Sequence, residues 1–307
     1  MNAMSIKTIL VPFSGDSDTP ALKAALSVAK HLQAHIAGLH VEAKLESVRP
    51  VPAVSGMGQG AFGMATMGRE LAMADQMTTS VRQRDQAAQA IKAGFLILCR
   101  EWEVPVLEEP APEDEPVLPS VSYRRETGDL PRIVSEHGQT CDLVVTESAS
   151  VSRDAKPARA MIDSALLHCG RPVLLAPSKP PESLGGRVVV AWNDSPQCWR
   201  ALSAALPFLA KANDVVLFHA GEDRAEWLAE EKAANYLAWH GVRAKVEQHD
   251  PGPAGVADYL MSQCGERQAG LMVMGAYSHS RWRERLLGGV TLKVLSNAAA
   301  TPVLMVH

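Results

Sequence analysis

Arg187-Val188-Val189-Val190-Ala191-Trp192-Asn193-Asp194-Ser195, with Ala201-Leu202-Ser203-Ala204-Ala205-Leu206 just beyond it, decides how the 307-residue chain is read. A β-branched apolar run ends in short polar residues, and an alanine- and leucine-rich stretch follows, which reads as strand, turn and helix. The same succession opens the chain: Ile6-Lys7-Thr8-Ile9-Leu10-Val11-Pro12-Phe13-Ser14-Gly15-Asp16-Ser17, then Ala21-Leu22-Lys23-Ala24-Ala25-Leu26. The two stretches also close alike, with Cys169-Gly170-Arg171-Pro172-Val173-Leu174-Leu175 answering Ala300-Thr301-Pro302-Val303-Leu304-Met305-Val306. Two copies of one unit are expected, residues 1–178 and 186–307, parted at Pro180-Pro181-Glu182-Ser183-Leu184-Gly185-Gly186.

Within the second copy the pattern alternates: strands at 187–192, 214–219, 243–248, 270–274 and 302–306, helices at 197–211, 224–240, 253–265 and 288–298. The strands are short and apolar without clean alternation, as when helices cover both faces of a parallel sheet. The expected fold class is α/β, with two doubly wound, Rossmann-like domains on mainly parallel five-stranded sheets. The first copy is longer. Residues 50–68 carry five glycines and no charge and read as a mobile, partly apolar loop, followed by a helical segment at about 69–101 and a second loop at 105–119. Gly58-x-Gly60-x-x-Gly63 matches a dinucleotide fingerprint, yet no strand ends just before it and Pro50 and Pro52 break the preceding segment.

Composition narrows the function. Apolar residues make up 47% and charged residues 21%, which suits real cores. The net charge of −4, with scattered basic residues, gives no footprint for tracking nucleic acid or an anionic membrane. No apolar run approaches a membrane span and the opening residues lack the long apolar region of a signal peptide, so a cytoplasmic protein is expected. Cys99, Cys141, Cys169, Cys198 and Cys264 are far apart, odd in number and never in a Cys-x-x-Cys pair, which disfavours disulfides or zinc. His31, His35 and His40 lie close in sequence but form no established ligand face. Gly-x-Ser-x-Gly, His-Glu-x-x-His and the phosphate-loop signature are all absent, so no base, nucleophile or metal set is named and turnover has no agent.

Sites in such sheets lie beyond the carboxyl ends of strands, where strand order reverses. Two loops of the second copy should meet there, Trp192-Asn193-Asp194-Ser195 and the long stretch from Met274-Gly275-Ala276-Tyr277-Ser278 to Gly288-Gly289-Val290-Thr291. The second suits an anion. Gly275 allows a sharp turn, Gly288 and Gly289 let backbone amides approach, and the next helix offers its positive end. Thr291 adds a hydroxyl in the first turn, and Arg281, Arg283 and Arg285 add charge; equally, the glycines could merely cap the loop and the arginines form a solvated face.

On these residues the second copy resembles the universal stress protein (UspA-like) family over essentially all of 186–307, and the first resembles it more weakly over 5–178. In nucleotide-binding members the pattern is Gly-x-x-Gly, nine residues, then Gly-Ser or Gly-Thr around the phosphates and ribose of ATP. Here it reads Gly275-Ala276-Tyr277-Ser278, nine residues, then Gly288-Gly289-Val290-Thr291, with Ser278 for the second glycine and Gly289 for the hydroxyl residue. The family's first-loop Asp-Gly-Ser aligns with Asn193-Asp194-Ser195. The resemblance implies ATP or ADP, with or without Mg²⁺, on the C-terminal domain only, and a regulatory stress-response role with an unknown protein partner. In the first copy Glu147 stands in the place of Gly275, Ser14 replaces the first-loop Asp, and no Gly-Gly opens the helix Ala158-Arg159-Ala160, so no nucleotide is expected there. Family dimers pair through their final strands. That makes Val173–Ala176 and Val303–Val306 the edges of a pseudo-dimer within one chain, with a homodimer of whole chains as a further option. The alternatives are a nucleotide-free interaction scaffold, a slow ATPase, and a synthetase or hydrolase of a related adenine-nucleotide fold.

Overall fold

The structure, a computed structural model, describes residues 5–43, 62–107, 117–152, 155–179, 184–220, 227–277, 289–298 and 300–307, with the backbone alone at 62–77, 220 and 227–230. In the N-terminal half the order is β1 (Thr8–Phe13), α1 (Pro20–Leu32), β2 (His35–Glu42), α2 (Phe62–Glu101), β3 (Ser120–Thr127), α3 (Leu130–Gly138), β4 (Leu143–Glu147), α4 (Ala155–His168) and β5 (Val173–Ala176). The C-terminal half repeats it as β6 (Arg187–Trp192), α5 (Pro196–Leu209), β7 (Asp214–Ala220), α6 (Trp227–Trp239), β8 (Ala244–His249), α7 (Val256–Glu266), β9 (Ala269–Gly275), α8 (Gly289–Asn297) and β10 (Val303–Val306).

All ten strands form one sheet in the order β3-β2-β1-β4-β5-β10-β9-β6-β7-β8. Each half is parallel throughout, and the halves meet where β5 and β10 pair antiparallel, Val303 beside Leu175, Leu304 beside Leu174 and Met305 beside Val173. These two strands are buried along their whole length. Parallel strands buried on both faces need apolar side chains at every position, which is why Val188, Val189 and Val190 read as a continuous run. Alternate residues feed opposite cores. Val188, Val190 and Trp192 join a core with α1, α5 and the end of α2, while Val189 joins a second with α3, α4, α7 and α8. Both cores cross from one half to the other.

The link between the halves is docked at its end. Leu184 is buried, Asn213 N donates to Gly185 O at 2.9 Å, and a Cβ on Gly185 would stand 2.9 Å from Lys211 O. The expected loop at 50–68 is corrected in its last part. Helix α2 already runs from Phe62, because methionine, alanine, leucine and glutamate outweigh the ~1 kcal/mol that each of Gly63 and Gly68 costs in a helix. Residues 50–61, and Gly58 and Gly60 with them, lie outside the described residues, as do 108–116 of the second expected loop.

All five cysteines are buried free thiols. His35 pairs its ring nitrogens with Ser120 and Ser122 hydroxyls at 2.9 and 3.0 Å, and His40 pairs with Tyr123. Among the described residues no group of three or more His, Cys, Asp or Glu is placed to hold a metal, and no helix is long and apolar enough to cross a membrane.

Candidate functional site

Strand β6 delivers Asn193, Asp194 and Ser195 directly to the first turn of α5. Asp194 has φ +51°, a left-handed conformation that aspartate tolerates better than most residues. Its Oδ1 accepts from the Trp199 indole at 2.8 Å, so the carboxylate is turned along α5. Ser195 caps that helix, accepting from Cys198 N at 3.2 Å, and donates its hydroxyl to Asn193 Oδ1 at 2.7 Å. Part of the bonding capacity expected to face a ligand therefore holds the loop in shape.

Strand β9 brings Met274 and Gly275 to the same place. Met274 is buried in the core, so it reaches the loop through its backbone. Gly275 was expected to serve a sharp turn, and the structure corrects the reason. A Cβ there would stand 2.8 Å from Cys198 N and 2.9 Å from Gln197 C, both backbone atoms, so glycine is required for β9 to end against α5. Beneath this contact the Cys198 thiol donates to Ala191 O at 3.1 Å, and burial pushes its pKa up to about 11.

Among the described residues of the second loop Tyr277 is left-handed, at φ +57°. Its amide donates to Thr291 Oγ1 at 3.2 Å, and Thr291 is buried. That hydroxyl oxygen, read from sequence as a phosphate ligand, faces the turn instead and ties it to α8. Gly289 is exposed at the start of α8, where an added Cβ meets nothing within 4 Å among the described residues, and Val290 is partly buried beside it. Ser278, Gly288, Arg281, Arg283 and Arg285 lie outside the described residues. The structure thus joins Asn193–Ser195 to Gly275 through the first turn of α5, and Thr291 to the Gly275 loop through Tyr277. Two polar atoms of this neighbourhood are buried without a hydrogen-bond partner: the donor Trp192 Nε1 and the acceptor Gln197 Oε1.

Sequence reading missed what Tyr277 does with its phenol. Its hydroxyl donates to Asp163 Oδ1 at 2.6 Å and accepts from Arg159 at 3.1 Å, and Arg159 pairs with Asp163 at 2.9 Å. Both partners sit on α4 of the other half. Burial, and then the bond to Asp163, hold the phenol pKa above its ordinary range. A second contact runs the opposite way, Ser148 Oγ donating to Leu295 O of α8 at 3.3 Å.

In the N-terminal half the corresponding region is a cleft of about 350 Å³ at the carboxyl ends of β1 and β4. Its first loop is longer than its counterpart, running from Ser14 to Thr19, which caps α1 through Leu22 N at 3.2 Å. Ser14 lines the cleft, as does Asp16 two residues on, so a carboxylate reaches this loop after all. Glu147 lines it from the end of β4.

The fold is similar over nearly its whole length to those of solved universal stress protein structures. A universal stress protein from Archaeoglobus fulgidus DSM 4304 aligns over 97% of both chains with TM-score 0.59 at 16% identity. A putative universal stress protein from Pseudomonas aeruginosa UCBPP-PA14 aligns over 99% of this chain and 95% of its own at TM-score 0.53 and 19% identity. A functionally unknown protein from Pseudomonas aeruginosa PAO1 matches at 0.52 and 17%, covering 98% and 92%. No family model and no curated protein matches the sequence.

Proposed function

We propose that the chain is a tandem universal-stress-type protein of two domains, 1–178 and 186–307, whose C-terminal domain binds an adenine nucleotide, ATP or ADP with or without Mg²⁺, and passes its occupancy to a protein partner. The observation that carries this reading is the seating of Gly275 on the first turn of α5, which brings the two candidate loops to one point at the carboxyl end of the sheet. The residues fit a phosphate through backbone rather than side chains: Gly289 leaves the amide end of α8 open, and an anion there meets the positive end of the helix. Trp192 Nε1 and Gln197 Oε1 supply an unmet donor and an unmet acceptor within five residues of each other. An unmet buried group costs about 1–3 kcal/mol, a cost that a partner on the ligand would remove.

A nucleotide would bring its own phosphoanhydride bonds; the chain's part in this reading is to bind and orient them. A cytoplasmic regulatory role follows from this reading. The second reading, a nucleotide-free scaffold, is favoured by the internal use of Asp194, Ser195 and Thr291. Titration calorimetry with ATP, ADP and AMP plus Mg²⁺ separates the two. Saturable binding that is lost in Gly289→Val supports the nucleotide site, since the added side chain has room to fold but occupies the helix end; heat-silent titrations support the scaffold.

A further inference from the structure

We propose that the two halves are coupled by a reciprocal tie. The turn that follows β9 and the helix α4 that walls the N-terminal cleft move as one unit, so that occupancy of the C-terminal loops sets the cleft of the other half. The tie crosses the β5–β10 seam in both directions. Tyr277, just beyond β9, gives its phenol hydroxyl to Asp163 at 2.6 Å and accepts from Arg159 at 3.1 Å, both on α4. Ser148, just beyond β4, gives its hydroxyl to Leu295 O on α8 at 3.3 Å. In each direction the turn after the fourth strand of one half holds the last helix of the other.

Tyr277 is placed to switch. Its left-handed backbone, at φ +57°, is disfavoured for a bulky residue and persists because bonds at both its ends hold it there. One of these is the amide bond to Thr291 Oγ1, in the first turn of α8 beside Gly289. A ligand that orders this helix end therefore also orders the residue whose phenol reaches α4. Helix α4 in turn supplies Pro157, Ala158 and Met161 to the cleft, so a shift of α4 reshapes the cleft directly. The repeat gives an independent sign. Counting back from Pro172 and Pro302, Arg159 stands in the place of Gly289 and Asp163 in that of Lys293. Where the C-terminal half leaves its helix start uncovered by a side chain, the N-terminal half places the guanidinium that meets Tyr277. The second half is thus built to send the signal and the first to receive it.

The nucleotide as incoming signal rests on the function proposed above; the tie itself does not, and hydrogen exchange on the full chain separates the two. Without ligand, Tyr277→Phe is expected to speed exchange of the α4 amides about fivefold, the worth of one hydrogen bond, while β7 and β8 at the far edge of the sheet keep their rates. With saturating ATP and Mg²⁺, α4 is expected to exchange more slowly in the unaltered chain and to be unaffected in Tyr277→Phe. Linkage demands the reverse effect as well: Tyr277→Phe and Asp163→Asn each weaken ATP about fivefold, and the double variant weakens it no further. The coupling is overturned by α4 rates that ignore Tyr277→Phe, by an acceleration shared equally with β7 and β8, or by ATP that binds both variants with unchanged affinity. ATP that never saturates removes the nucleotide reading, and the ligand-free comparison then decides the tie alone. Should Tyr277→Phe not fold, Asp163→Asn takes its place in both measurements.

Discussion

Tyr277 of the C-terminal half donates its phenol hydroxyl to Asp163 of the N-terminal half at 2.6 Å. The same tyrosine gives its amide to Thr291. One residue thereby fixes the second candidate loop to its own helix α8 and to α4 of the other half.

Alkaline titration reads this bond. Because the folded phenol pKa is raised, the bond's contribution is complete below the ordinary tyrosine range near 10 and is lost as pH rises through the higher folded value. Near-ultraviolet tyrosinate absorbance should show a late-titrating component among the four tyrosines that Tyr277→Phe removes. A wild-type curve identical to that of the variant would mean that the phenol is not held by Asp163. Loss of the bond is expected to cost about 1 kcal/mol in denaturant unfolding.

Gly275→Ala tests the seat of the two loops. The new methyl group collides with backbone of Gln197 and Cys198, which cannot rotate away as a flexible side chain would. Destabilisation of roughly 1–3 kcal/mol is expected, read as a lowered melting temperature, together with weakened ATP binding. Gly289→Ala serves as the control, with melting nearly unchanged because no described residue stands within 4 Å of the added methyl group.

Thr291→Val removes the acceptor for the Tyr277 amide while preserving shape. A loss of about 1–3 kcal/mol is expected for the unsatisfied amide, and Thr291→Ser should restore most of it. Equal stability of the valine variant would show that the turn is held by other contacts.

The thiols should be inert in the folded chain. Burial raises Cys99 and Cys264 to about 12 and Cys169 and Cys198 to about 11, and pushes Cys141 upward as well. Only thiolate attacks a disulfide reagent, so at about pH 8 the native protein is expected to react slowly and all five groups to react at once in guanidinium. Rapid labelling of one native thiol would mean that its surroundings open.

The repeat and the alternation of elements were legible because each depends on local apolar pattern, whereas the pairing of β5 with β10 was expected only from the family resemblance. The bounds of β6 coincide with the expected 187–192, and those of the other C-terminal elements fall within three residues. What escaped the sequence depended on contacts distant along the chain. Tyr277 meets Asp163 only after the halves assemble, and nothing in Gly275-Ala276-Tyr277 announces a partner on α4. The role of Gly275 was likewise misread, since a glycine needed for close approach and one needed for a turn look the same in a sequence. Asp16 was overlooked because the first loop of the N-terminal half is longer and shifts the carboxylate past the aligned Ser14.

The account rests on one of the two halves taking an adenine nucleotide, and counting bound ATP measures that directly. Calorimetric titration of the full chain with ATP and Mg²⁺ is predicted to give one site per chain, retained in Glu147→Gln and lost in Gly289→Val. Two sites per chain, or one site that survives Gly289→Val and disappears in Glu147→Gln, would contradict it.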